Sequence, residues 1–194
     1  MLSEGTVLKK GYVIEELLGQ RGAGPVCWAR ATRPGGTQVA LKRIKIDLPD
    51  PGLRAKHRVL LQRHARLLTM LKHPGVVPLV EFFEEADVYY FAMQWVEGKS
   101  LAQVRKQGPL ELALVFDWAE DLCQTVEWLH QYDPPVLVRN LQPSTVLIDG
   151  EGRPQLCDLG ISGLQDGDSE TATALQDSVG YAPADSPPGM FFGL

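Results

Sequence analysis

A few residues in this 194-residue chain stand where side-chain type and spacing could support chemistry. Val39-Ala40-Leu41-Lys42 alternates as a strand would, so Lys42 shares a face with Ala40 and Ile44. A lysine on a strand is ordinarily solvated; one on an apolar face points into a cleft. Gly19-Gln20-Arg21-Gly22-Ala23-Gly24 is a glycine-rich turn between strand-like runs. Such turns also occur in ligand-free hairpins, where glycine relieves backbone strain. Asp158 follows the strand-like Pro154 to Cys157, and an acid at a strand end serves either as a turn residue or as a metal ligand. Cys27, Cys123 and Cys157 are far apart and odd in number, which suits neither a disulfide framework nor a tetrahedral metal site. A reducing cytoplasm is the expected compartment.

These residues need elements to hold them. Tyr12 to Leu18, Val26 to Ala31 and Thr37 to Ile46 read as strands, joined by turns so short that they must run antiparallel. A helix is expected over Leu53 to Leu71, with Leu60, Leu61, His64, Leu68 and Leu71 on one face and Arg54, Lys56, Arg58, Arg63 and Arg66 on the other. The basic face reads as a solvated surface or a dock for an acidic partner. His73-Pro74-Gly75 stops the helix. Val76 to Phe83 and Val88 to Trp95 are further strands. Glu97-Gly98-Lys99-Ser100 reads as a boundary, with Ser100 capping a helix from Leu101 to Gln107. Leu110 to His130 is the longest amphipathic segment, and its buried stripe is expected through Val115, Ala119, Leu122, Val126 and Leu129. Thr145 to Ile148 and Pro154 to Cys157 form a hairpin around Asp149-Gly150-Glu151-Gly152. From Asp158 to about Pro188 the composition is that of loop.

Composition narrows the function classes. Lys and Arg total 19 against 24 Asp and Glu, a net charge of −5, which excludes a strongly basic nucleic-acid footprint over the whole surface. No apolar run approaches the roughly 18 residues of a membrane span, and Met1 to Lys10 lacks the apolar core of a signal peptide. No internal repeat is visible. Neither nucleic acid nor membrane is therefore an expected partner.

Taken in order, the motifs resemble the protein kinase superfamily, in wording nearest to bacterial-type serine/threonine kinases. Leu18-Gly19-Gln20-Arg21-Gly22-Ala23-Gly24-Pro25-Val26 is similar to the glycine-rich loop over the ATP phosphates, and Val39-Ala40-Leu41-Lys42 to the strand-three lysine motif. Ala92-Met93-Gln94-Trp95-Val96-Glu97-Gly98 resembles the hinge, with Met93 as gatekeeper. Val138-Arg139-Asn140-Leu141-Gln142-Pro143-Ser144-Thr145-Val146-Leu147-Ile148 resembles the catalytic loop, Cys157-Asp158-Leu159-Gly160 the metal-binding triplet, and Gly180-Tyr181-Ala182-Pro183 the end of the activation loop.

The resemblance implies an α+β fold: an antiparallel N-lobe with one long helix over 11–97, and a partial, mainly helical C-lobe over 98–185. Residues 1–10 form an extension and 186–194 a tail unlike the family, so the domain is expected to be truncated or a fragment. It further implies that Leu18, Gly19, Gly24, Val26, Ala40, Lys42, Met93, Gln94, Val96 and Leu147 bind ATP, and that Asp158, with Thr145 in the position of the loop's Asn, binds Mg2+. Arg139 matches the usual receiver of an activation-loop phosphate. Ser162, Ser169, Thr171, Thr173 and Ser178 are candidate acceptors of that phosphate, otherwise simple loop composition.

Departures from the pattern decide the functional expectation. The family's general base is an aspartate; here it is Asn140, and a carboxamide takes no proton at neutral pH. The lysine that assists at the transferring phosphate is Gln142, which can bond a phosphoryl oxygen but neutralises nothing. The regulatory helix should supply a glutamate to Lys42, and that place falls on His64, which alone would read as a satisfied core histidine. Arg21 replaces the loop's second glycine. The reading is a pseudokinase that retains ATP and Mg2+ binding and acts on a partner protein. The alternatives are an active atypical serine/threonine kinase and a scaffold without nucleotide.

Overall fold

The computed structural model describes residues 3–21, 24–33, 35–138 and 140–159. Arg139, Gly160, the Gly180 to Pro183 segment, the candidate phosphoacceptors and the tail lie outside them. The chain divides into two compact units, Met1–Lys72 with Pro78–Trp95, and His73–Val77 with Val96–Leu194.

The first unit is a six-stranded antiparallel sheet ordered β1-β2-β3-β4-β6-β5. Its strands are β1 (Val7–Leu8), β2 (Tyr12–Arg21), β3 (Gly24–Ala31), β4 (Gln38–Lys45), β5 (Leu79–Glu85) and β6 (Val88–Gln94). Alternation divides the residues between two faces. Cys27, Ala29, Val39, Leu41 and Ala92 are wholly buried, and they join Leu8, Tyr12, Ile14, Phe83 and Tyr90 in one hydrophobic core. Burial pushes the Cys27 thiol above its ordinary range. The intervening residues Val26, Trp28, Ala40, Lys42, Phe91 and Met93 take the opposite face. Helix α1 (Pro51–Met70) packs against β5. Asp50 caps it by accepting the Leu53 N–H at 2.9 Å, and Pro51 occupies a position where no N–H is needed. Leu61, Ala65 and Leu68 are its buried residues, with His64 half-buried beside them.

The expected strand from Val76 is interrupted. Val77 donates its N–H to Leu156 O and belongs to the second unit, and β5 begins only at Leu79. Pro78 between them has no N–H, and its carbonyl accepts from Gln94 N–H at 2.9 Å. Within the expected N-terminal extension, Val7 and Leu8 form β1 and pair with β2, and Leu8 is buried.

The second unit holds a three-stranded antiparallel sheet of β7 (Gly98–Ser100), β8 (Val146–Asp149) and β9 (Pro154–Leu156), with α2 (Leu101–Arg105) and α3 (Leu112–His130). Val76 lies parallel beside Leu156. The anticipated boundary at Glu97 to Ser100 is mostly strand: Gly98 pairs with Asp149, so tightly that a Cβ there would overlap Ile148 O. Ser100 then closes a capping box with Gln103.

The buried face of α3 is rotated from the expected stripe, of which Leu129 is buried and Leu122 and Val126 are half-buried. Trp118, Thr125 and Leu129 are buried, whereas Val115 is 39% exposed and Ala119 is exposed. Polar anchors set this rotation. The Trp118 indole N–H donates to Gly152 O at 2.7 Å in the β8–β9 turn, and Trp128 stacks on His73 at 4.8 Å. Gly75 lies so close to Thr125 that a Cβ would overlap its hydroxyl. Among the described residues no helix is long and apolar enough to cross a membrane.

Candidate functional site

In the first unit, strand register brings the expected nucleotide residues to one face. Val26 lies opposite Lys42, Ala40 opposite both Trp28 and Met93, and Gly19 opposite Val26. Opposed residues of an antiparallel pair project to the same side, so Val26, Ala40, Lys42 and Met93 form one half-buried surface. The fully buried core takes the other face. Gly19 has φ +131°, a conformation that favours glycine, and follows a register irregularity at Leu18. Leu18 is 38% exposed. Gly24 pairs with Arg21 where β3 begins. Gln94 ends β6 with an exposed side chain. His64 on α1 and Lys42 on β4 both belong to this unit.

Sequence reading did not anticipate the aromatic pair on this sheet. Trp28 lies 5.9 Å from Trp95, and its buried indole N–H has no hydrogen-bond partner. Nothing in the spacing of the two tryptophans announces the contact.

In the second unit, Asn140, Gln142 and Thr145 are linked in one small network. Gln142 Nε2 donates to Asn140 Oδ1 at 2.9 Å. The Thr145 hydroxyl donates to Asn140 O at 2.6 Å, its shorter carbonyl contact, and accepts the Gln142 N–H at 3.1 Å. Thr145 N–H in turn donates to Gln142 O at 2.9 Å. Gln142 and Thr145 are buried, 8% and 3% exposed. Neighbouring elements hold the loop in place: Ala102 N–H in α2 donates to Pro143 O at 2.8 Å, and Cys157 N–H to Thr145 O at 3.0 Å. Leu147 is half-buried on β8 between the buried Val146 and Ile148, Val96 is half-buried ahead of β7, and Asp158 is half-buried just past β9.

The β8–β9 turn is fixed by Asp149. Burial alone would raise its pKa, but the N–H groups of Arg153 and Glu151, the Gln155 amide and the Arg153 charge hold it below the usual carboxylate range.

This loop is poorly equipped to move a proton. Asn140 Oδ1 accepts hydrogen bonds without basicity, and one donor already occupies it. For a divalent cation, no group of three or more His, Cys, Asp or Glu among the described residues could hold a metal unaided. Asp158 fits the mode in which Mg2+ takes about one or two carboxylates and completes its shell with phosphates and water. The Thr145 hydroxyl is engaged inside the loop, bonded to Asn140 O and the Gln142 N–H.

Residues 12–185 match the family model of the protein kinase domain, and the chain belongs to the protein kinase family. It is 29% identical over 182 residues to receptor-like kinase LIP1 of Arabidopsis thaliana, covering 89% of this chain and 28% of that one. Against serine/threonine-protein kinase pkn2 of Myxococcus xanthus it is 29% identical over 174 residues, covering 88% and 20%. The chain thus spans well under a third of these relatives' length. Among solved structures, the apo form of PpkA-294 superposes with a TM-score of 0.68 over 82% of this chain and 62% of that chain at 23% identity, which shows a kinase-like fold.

Proposed function

We propose that this chain is a pseudokinase domain that binds ATP with Mg2+ and acts on a partner protein by contact, without phosphoryl transfer. Asn140 carries this reading: it stands at the family's base position, and its amide oxygen is taken by Gln142 Nε2. Positioned base catalysis contributes roughly 10²–10⁴-fold, and a carboxamide supplies none of it. Gln142 supplies hydrogen bonds but no charge to a transferring phosphoryl group.

Binding functions are better preserved. The half-buried face of Val26, Ala40 and Met93 suits a purine, Lys42 suits a phosphate, and Asp158 suits one metal ion. Bound Mg2+ would screen the phosphate charge. Thr145 serves the loop's own structure in this reading, and His64 and Arg139 are the regulatory positions. We assign the chain to a reducing cytoplasm, because three cysteines far apart in sequence do not form a disulfide framework.

The test pairs binding with turnover. Mg-ATP at millimolar concentration raises the thermal midpoint, because a ligand specific for the folded state stabilises it by mass action. Lys42→Met and Asp158→Ala reduce that shift. No labelled γ-phosphate reaches a peptide or the chain itself. An absent shift leaves a scaffold without nucleotide, whereas transfer abolished by those two substitutions establishes an active atypical serine/threonine kinase.

A further inference from the structure

The two long helices carry opposite charge. α1 bears Arg54, Lys56, Arg58, Arg63 and Arg66 with no acidic residue, and α3 bears Asp117, Glu120, Asp121 and Glu127 with no lysine or arginine. Arg54, Lys56 and Arg58 lie in the first two turns of α1, where the helix dipole disfavours cations. Arg58 is paired with Glu84, and Arg54 donates to Leu48 O. Lys56, Arg63 and Arg66 are exposed and have no ion pair among the described residues. The same holds for the four α3 carboxylates; Glu120 and Glu127 accept only from the neutral amides of Gln124 and Gln131.

Exposed apolar side chains are interleaved with these charges. On α1, Val59 (61% exposed), Arg63, Arg66 and Met70 (56%) recur at i, i+4, i+7 and i+11, one continuous stripe opposite the buried Leu61 and Leu68. On α3, Phe116 (66%), Glu120, Cys123 and Glu127 recur at the same spacing, extended by Leu112 (68%). A charged surface helix would need no large apolar residues on its outermost face. Paired helices use this combination, with apolar contact for affinity and flanking charges to select the partner.

From this charge and pattern complementarity we infer that the exposed stripe of α1 is a docking surface for the exposed stripe of α3 on a second copy of the chain. The two surfaces are unlike, so the contact either forms twice about a twofold axis or propagates head to tail. The inference does not depend on whether the chain binds ATP.

Sedimentation velocity on the full 194-residue chain tests it. At low ionic strength the average mass rises with concentration, and at about 0.5 M salt, where charges are screened within a few ångströms, it returns to that of a monomer. Arg63→Glu/Arg66→Glu and Glu120→Arg/Glu127→Arg each weaken association at least tenfold while circular dichroism stays unchanged. An equimolar mixture of the two variants associates again, because each then offers the stripe the other needs. A chain that is monomeric at every concentration, an association indifferent to both reversals, or a mixture that stays monomeric overturns the proposal. The first of these results leaves the two stripes to other partners.

Discussion

Substituting Gly75 by alanine tests how α3 is seated. A Cβ there would overlap Thr125 Oγ1 and lie 2.9 Å from Thr125 Cγ2 and 3.0 Å from its Cβ. Rotating Thr125 only exchanges one clash for another, because Oγ1 and Cγ2 both face the glycine. Rotation also breaks the hydroxyl's bond to Asp121 O at 2.8 Å. The helix must therefore shift by several tenths of an ångström. That shift strains the Trp118 bond to Gly152 O, worth about 1 kcal/mol, and the Trp128–His73 stack, worth about 0.5–1.5 kcal/mol. With an overpacking cost of roughly 1–3 kcal/mol, Gly75→Ala should destabilise by about 3 kcal/mol. Thr125→Ala removes both offending γ atoms and by itself should cost about 1 kcal/mol. The double variant keeps the 3.0 Å contact to the residue 125 Cβ and should cost about 1 kcal/mol more than Thr125→Ala alone, a coupling of about 2 kcal/mol. Urea denaturation followed by tryptophan fluorescence reads this directly, since Trp118 and Trp128 lie on α3. A Gly75→Ala variant within about 0.5 kcal/mol of the parent, or strictly additive costs, would refute this account of the interface.

Two further outcomes follow from the catalytic loop and from His73. Asn140→Asp restores a carboxylate at the base position while keeping an acceptor for Gln142, so γ-phosphate transfer should rise from background by roughly 10²-fold or more, and further with Gln142→Lys. A transfer rate unchanged by both substitutions would mean that Asn140 is not what limits the reaction. Burial holds His73 below the ordinary imidazole range, and its Nδ1 accepts the Gly75 N–H at 3.1 Å, which a ring protonated at Nδ1 cannot do. The unfolded chain therefore takes up this proton more readily. Its stability contribution is complete above about pH 6.5 and is lost as pH falls through that value toward the lower folded pKa. Thermal melts between about pH 7 and 5 should show the fall, and His73→Phe, which keeps an aromatic ring against Trp128, should flatten it and lower the midpoint at neutral pH.

Legibility in the sequence followed the range of the forces involved. Alternation placed Ala40 and Lys42 on one face, and register then added Val26 and Met93 without contradiction, because period-2 order is local. The Ser100 cap and the hairpin around Asp149 were equally visible, since both are satisfied by backbone groups a few residues away. The face of α3 was not. Its apolar residues wrap most of the helix, and counting them undervalued Trp118 and Thr125, whose polar atoms find partners only once the chain is folded. β1 and β7 are two and three residues long, too short for any period, and exist because β2 and β8 pair with them. The loop motif located Asn140, Gln142 and Thr145, but not that they hydrogen-bond to one another.

That mutual bonding bears on which residues the proposed nucleotide site would use. In an active loop, a carboxylate and an ammonium are left for substrate and phosphate to satisfy. Here the Gln142 amide donates to the Asn140 amide oxygen and the Thr145 hydroxyl bonds the loop backbone, with Gln142 and Thr145 buried, so these groups find their partners inside the loop. In the proposed pseudokinase reading, the electrostatic part of ATP binding would fall to Lys42 and Asp158. Asn140→Ala leaves the buried Gln142 amide without its acceptor and should lower the unliganded thermal midpoint, at a cost of about 1–2 kcal/mol, while leaving the Mg-ATP shift intact. Lys42→Met should reduce the Mg-ATP shift. If Asn140→Ala instead abolished the ATP shift at an unchanged midpoint, the amide would be contacting the nucleotide, and the self-satisfied loop would be the wrong description.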